Sequence, residues 1–163
     1  MTDDRELTEY FLDRARRDLM ERYWPQLRDC ISLLTEDQIW WRPNEASNSI
    51  GNLLLHVNGQ LSQWIVSNFN GAELTRDRAR EFTERGPIPI AELSARLAST
   101  MEESGAVLAR LTPKDLATHF MFFGKSFSGL EAIFHSVSHV ALHYGQIAYI
   151  TKMLANRDLG FRM

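Results

Sequence analysis

Residues 134–150 read FHSVSHVALHYGQIAYI and place His135, His139 and His143 at successive i, i+4 positions, with Gln146 three residues further on. An α-helix turns about 100° per residue, so each four-residue step advances the direction by only about 40° and the imidazoles form one column. Three of the chain's five histidines thus share one helix face. Ala132, Gln146, Ile150 and Met153 fall within about 40° of His139 on the same wheel, so the column is expected to point toward a core. A single histidine on an apolar face is commonly a hydrogen-bonded core residue. Burying three rings side by side without a common partner costs desolvation, however. Two imidazoles one helical turn apart can bind the same ion, so a shared cation is the better reading of three in register.

Working toward the amino terminus, Leu7, Phe11, Ala15, Leu19 and Tyr23 recur at helical spacing, and Leu27, Cys30, Ile31 and Leu34 continue them as one long first helix. Pro25 removes a backbone donor and crowds the preceding turn, which predicts a kink near Tyr23 or Trp24. Trp40 and Trp41, before Arg42-Pro43, are expected to cover the end of a core. Asn48 or Ser49 can cap a second helix with Ile50, Leu53, Leu54, Val57, Leu61, Trp64 and Ile65 as its stripe, ended by Asn70-Gly71. His56 sits at the edge of that stripe and Gln60 faces nearly the same way one turn later.

Residues 72–89 are rich in charge and lack an apolar period, which predicts a long crossover with one helical turn around Arg78 to Phe82. A third helix carries Ile90, Leu93, Leu97, Met101, Leu108 and Leu111 and stops at Thr112-Pro113. Its Ser104-Gly105 pair is a weak spot, tolerable where a neighbouring backbone packs close. Residues 117–127, ATHFMFFGKSF, read as an irregular lid or a short hairpin, with His119 a surface or loop histidine. Ser128 can cap the fourth helix, which carries the histidine column to about Leu154. The fold class expected is all-α, a four-helix bundle with a long crossover between helices 2 and 3.

The 163 residues suit one domain, and the 44% hydrophobic and 24% charged fractions are those of an ordinary globular protein. A net charge of −3 gives no electrostatic reason to bind nucleic acid or an anionic membrane. Cys30 is the only cysteine, which leaves no intrachain disulfide, thiolate zinc site or Cys-x-x-Cys pair. The amino-terminal MTDDRELTEY is acidic and polar where a signal peptide would be basic then apolar, and no apolar run approaches the ~18 residues of a membrane span. The expected location is the cytoplasm.

The fourth helix offers adjacent imidazoles, and His56 is the only histidine on another predicted helix. Three neutral imidazoles leave a coordination position open, as in catalytic zinc sites, and suit zinc, nickel, iron or copper alike. No carboxylate is evidently placed as a general base: Glu131 lies about 12 Å along the axis from His139 and roughly 80° round the helix.

His56, then His139-x-x-x-His143 followed by Tyr144-Gly145-Gln146-Ile147, resembles the DinB/YfiT-like superfamily, whose fourth helix carries His-x-x-x-His-x-Gly-Gln. The segments Asn48-Ser49-Ile50-Gly51-Asn52-Leu53, Arg76-Asp77-Arg78 with Glu81-Phe82, Arg85-Gly86-Pro87-Ile88-Pro89 and Asp158-Leu159-Gly160-Phe161 are similar to one largely uncharacterised branch. The resemblance implies an up-down-down-up four-helix bundle, a homodimer, and a divalent ion (zinc, nickel or iron) held by His56, His139 and His143. It leaves His135 as an extra ring in the pocket, and Gln60 and Gln146 as outer partners of the ligands. The family's usual Arg before Gly-Gln is Tyr144 here. Relatives include S-transferases and isomerases that use low-molecular-weight thiols, and metal-dependent hydrolases. The implied function is a metal-dependent enzyme on a small molecule, with Phe120, Phe122 and Phe123 as candidate covers of its pocket. The alternative is a metal- or small-ligand-binding stress protein without turnover.

Overall fold

The computed structural model describes residues 4–161; the first three residues of the acidic amino-terminal stretch and the last two of the tail lie outside it. The first long rod joins α1 (Asp4–Arg17), a π-helical segment (Asp18–Tyr23) and α2 (Trp24–Ser32). Pro25 is accommodated just downstream of the π-helical segment, and the Trp24 N–H reaches back to the Leu19 carbonyl, five residues away. The irregularity expected at Tyr23 or Trp24 thus takes the form of wider turns ahead of the proline.

The short α3 (Glu36–Trp40) starts at a Thr35/Gln38 capping box. Trp40 donates its indole N–H to the Ile88 carbonyl at 3.2 Å, and its ring lies against Gly51 and Gly86, where any Cβ would come within 2.9 Å. It covers the end of the core, as expected of that pair, while Trp41 is 39% exposed.

Ser49 and Asn52 form the capping box of α4 (Ile50–Leu61), which continues through a second π-helical segment (Ser62–Ser67) into α5 (Asn68–Asn70). Gly71 ends this rod with a φ of 66°, a left-handed conformation that glycine adopts without penalty. The crossover holds α6 (Arg78–Thr83), and α7 (Ile90–Leu108) follows. Gly105 on α7 is covered by the Met20 side chain, 3.2 Å from a Cβ built there, so the close neighbour is a side chain of the first π-helical segment.

After α8 (Pro113–Ala117), β1 (His119–Phe122) and β2 (Lys125–Ser128) form an antiparallel hairpin in which Phe120 faces Phe127 and Phe122 faces Lys125. Its two-residue tip, Phe123-Gly124, has φ values of 50° and 76°, the twist that suits a tight hairpin. The fold is therefore mostly helical with a small two-stranded sheet, which the all-α class expected from the sequence did not include. The hairpin resolves the choice left open for residues 117–127. His119 is exposed on it.

Ser128 and Glu131 form the capping box of α9 (Gly129–Ala155), so Glu131 is occupied at the helix start. In the interior, α4 packs on α7, α6 and α9, while α2 packs on α9 and α7. Leu27, Leu54, Ile65, Leu97, Met101, Ile133 and Ile147 are fully buried between them. A smaller cluster joins Trp64 to Phe122 and Ala132 and seats the hairpin. Among the described residues no helix is long and apolar enough to cross a membrane.

The core face of α9 is marked by Ile133, Ser136, Val140, Ile147 and Thr151, with Ala132 and Ile150 buried at the edge nearest the histidines, and its centre lies about 75° round the helix from His139. The histidine column therefore runs along the flank of the helix, not down its core face. His135 and Met153 lie on the outer side of the column and are exposed, while His139 and His143 are partly buried.

Candidate metal centre

His56 is buried on α4, and α9 brings His139 and His143 to it. One nitrogen from each ring lies within 4.8 Å of the other two. His56 Nε2 is 3.0 Å from His139 Nε2, and His143 Nε2 is 3.2 Å from the same atom. Ligands about 2.0–2.1 Å from a tetrahedral zinc lie about 3.3–3.4 Å apart, so the two separations at His139 are close to those of one ion, and a small movement of the outer rings would bring the whole set onto it.

The outer nitrogens decide where the protons are. His56 Nδ1 donates to Glu81 Oε2 at 2.8 Å, and His143 Nδ1 donates to Gln146 Oε1 at 2.7 Å. With the rings neutral, the form that binds a metal, both Nε2 atoms are then bare lone pairs aimed at His139 Nε2. A proton on His139 Nε2 could satisfy one of them and never both. His139 Nδ1 is buried without a hydrogen-bond partner among the described residues. Three converging nitrogens that cannot satisfy one another fit a cation at their centre.

Glu81 and Arg76 complete the support. Arg76 Nε donates to Glu81 Oε1 at 2.6 Å and Nη2 to Oε2 at 2.8 Å, a two-pronged pair with both side chains at most one-tenth exposed. Arg76 Nη2 is also 3.3 Å from His56 Nδ1, but both atoms are donors, so that contact is no hydrogen bond. Burial alone would raise the Glu81 carboxyl; the bonds from His56 and Arg76 outweigh it and hold the group below the usual carboxylate range. An ionised carboxylate behind a ligand histidine fixes its tautomer and raises its basicity.

The crossover reaches this position because Asp77 Oδ1 caps α6 through the Arg80 N–H at 3.0 Å, while Asn52 Nδ2 donates to the carbonyls of Glu81 and Glu84, both at 2.9 Å. Gly59 leaves room for it. A Cβ there would collide with Glu81 Oε1 and come within 2.8 Å of Arg76 Nε. Gly59→Ala should therefore destabilise the protein by about 1–3 kcal/mol, the usual cost of overpacking. In an open helix the same change would stabilise by about 0.8–1.0 kcal/mol, so a denaturant midpoint above wild type contradicts the crowding.

The other predicted residues separate. Gln146 holds His143, whereas Gln60 donates to Ser136 Oγ at 3.0 Å and touches no ligand ring through a hydrogen bond. His135 stays outside the cluster, its ring 4.3 Å from Trp64, and lines a cavity of about 570 Å³ together with His56, Gln60, His139 and Phe122. Phe123 also lines it, but Phe120 packs on Phe69 instead, with Phe127 contributing to the wall. Tyr144 turns away to Tyr23 and Phe161. Glu81, Arg76 and Phe127 were not recognised as site residues from the sequence.

A sequence profile of the DinB superfamily matches residues 19–147. The chain belongs to the DinB superfamily. Three solved structures show the same fold. A DinB-like protein from Bacillus subtilis is 18% identical with a TM-score of 0.70, covering 92% of this chain and 99% of its own. A DinB-like protein from Bacillus cereus is 17% identical with a TM-score of 0.66, over 90% and 91%. A conserved protein from Enterococcus faecalis is 14% identical with a TM-score of 0.69, over 93% and 97%. No curated protein matches. In this DinB chain the superfamily's fold carries a cluster of three histidines able to hold a metal ion.

Burial first, then the neighbouring His143, His56, His135 and Arg76, push His139 down to about 3. Burial also lowers His143, against the Gln146 bond, and lowers His135. As pH falls below the ordinary imidazole value of about 6.5, an unfolded chain takes up protons that these rings refuse when folded. Metal-free protein should therefore lose stability continuously from about pH 6.5 downward. Melting curves between pH 7.5 and 5, above the range of most carboxylates, test this. His139→Gln should flatten the dependence, and an unchanged slope would remove His139 from the account.

Proposed function

We propose that this protein is a divalent-metal-dependent enzyme acting on a small molecule, with S-transfer from a low-molecular-weight thiol or hydrolysis as its reaction class. One observation carries the reading: the nitrogens of His56, His139 and His143 converge beside an aromatic-walled cavity of about 570 Å³. When bound, zinc, nickel or iron would supply Lewis-acid character there, lowering the pKa of a coordinated water or thiol. His56, steadied by Glu81, and His143, steadied by Gln146, keep their inner nitrogens unprotonated and oriented. Phe122 and Phe127 limit access of water from the hairpin side, and His135 is placed to contact the substrate.

The four long helical rods are proposed to run up-down-down-up within one domain, in a cytoplasmic homodimer. Exposed apolar residues along α9, with Phe134 at 65%, Leu142 at 59% and Tyr149 at 66% exposure, support the dimer.

Binding without turnover is the second reading, favoured by the absence, among the described residues, of any Asp or Glu lining this cavity to serve as a general base. Metal-loaded protein incubated with thiols and with epoxide, halide or activated-ester electrophiles, followed by mass spectrometry, separates the two. The enzyme reading expects product that disappears in His139→Ala, and a changed rate or substrate affinity with the metal retained in His135→Ala. Absence of any metal-dependent product moves the assignment to a binding protein.

A further inference from the structure

We infer that the cavity beside the histidines selects small aromatic carboxylates, with the carboxylate taken up by Arg78 and Lys125 and the ring laid against Phe123 and Phe127. The inference deepens the reading of this cavity as a small-molecule site and rests on it. Although the whole chain carries a net charge of −3, no Asp or Glu among the described residues lines this cavity. The nearest carboxylate in the support, Glu81, spends both oxygens on Arg76 and His56. The Arg76–Glu81 pair is neutral as a unit, so the remaining cations set the sign of the local field.

Those cations are Arg78 and Lys125, contributed by the crossover and the hairpin, and both line the cavity. Neither makes an ion pair with a carboxylate among the described residues. Arg78 lies 5.2 Å over the Phe82 ring, which in turn packs 4.5 Å from the His56 ring, so its guanidinium is held near the histidines. A planar guanidinium with free donors matches a carboxylate in shape as well as charge.

The rest of the lining is largely aromatic. Trp64 stacks on Phe122 with centroids 3.7 Å apart and planes within 5°. That pair is itself buried and its facing rings cover each other, so it anchors the wall, while Phe123 and Phe127 offer the open aromatic surface for a flat apolar body; the volume is that of a pocket for a small ligand. Gln60 adds a polar requirement. Its Nε2 donates to Ser136 Oγ, whose own proton goes to the Ala132 carbonyl, so Gln60 Oε1 must be the free end. That oxygen is buried and has no partner among the described residues, in a side chain that lines the cavity. A ligand with an N–H, O–H or S–H group near its carboxylate would satisfy it.

The test uses the full chain stripped of metal with a chelator, so that no carboxylate can bind through an ion. Calorimetric titration with phenylacetate, phenylacetamide and phenethylammonium compares three ligands of one shape and different charge. Phenylacetate should bind at least about tenfold tighter than the amide, the scale of two partly exposed charge contacts, and the ammonium weakest. The exposed double substitution Arg78→Ala/Lys125→Ala should erase that preference. Equal affinity for acid and amide, a preference that survives the double substitution, or no binding of any of the three would overturn the inference. Zinc titrations on the same preparation keep the two readings apart. Zinc bound without carboxylate preference defeats this inference alone, whereas carboxylate preference without zinc binding defeats the metal reading alone.

Discussion

His139→Ala should leave a folded protein that no longer holds zinc. In the wild type one divalent ion per chain is expected, and His139 Nε2 is the atom to which both other rings are aimed, at 3.0 and 3.2 Å. Removing it leaves His56 and His143 without the nitrogen between them. Affinity should then fall by more than the roughly 10–100-fold typical of losing an outer partner of a ligand. The fold should survive, because His139 is only partly buried and lies on the flank of α9. His56→Ala and His143→Ala should behave alike. Metal content after purification without a nickel column, with chelator competition for affinity, checks all three; full occupancy in any of them removes that residue from the ligand set. Protons compete with the ion, and because burial lowers both His139 and His143, acid loss of metal should set in below the ordinary imidazole range.

The column of three histidines was legible in the sequence because α9 is an uninterrupted amphipathic helix, where spacing converts directly into direction; the choice of His139 and His143 together with His56 came from the resemblance to the superfamily motif, and the structure brings those three rings together. Direction relative to the core was harder to read. Small and polar residues that pack inward, such as Ser136 and Thr151, carry no hydropathy signal, so the wheel placed the core on the column itself instead of about 75° to the side. The two π-helical segments were invisible for a related reason: an extra residue in one turn shifts the stripe by an amount that ordinary scatter hides. Proline at position 25 did mark the neighbourhood of the first of them.

The support for His56 was not legible at all. Glu81 lies 25 residues further along in a charged stretch without an apolar period, where a carboxylate ordinarily faces water. Its burial follows from three separate features: the Asp77 cap on α6, the two carbonyls held by Asn52, and the missing Cβ of Gly59. Asp77 ahead of Arg78 to Phe82 could have indicated the helix start. Nothing local indicated the partner. The hairpin aromatics stood between these cases, since a Gly between aromatic runs allows a turn but does not say which ring covers which wall.

Glu81→Gln should weaken zinc binding about 10–100-fold and destabilise the fold, and the two effects should be separable. The amide keeps nearly the shape of the carboxylate but loses the charge that orients His56 and neutralises Arg76, whose side chain is 8% exposed. An uncompensated buried guanidinium costs roughly 3–5 kcal/mol, so the denaturant midpoint should fall substantially. Arg76→Met added to Glu81→Gln removes the stranded charge and substitutes an adaptable apolar chain, which should restore much of the stability. Zinc affinity should not return with it, because His56 Nδ1 would still face a neutral amide where it had an ionised carboxylate. Chelator competition and urea melts on wild type, single and double variants give the comparison. Affinity that recovers in step with stability in the double variant would mean that Glu81 only holds α6 in place; affinity that stays low while the fold recovers assigns it the tuning of His56.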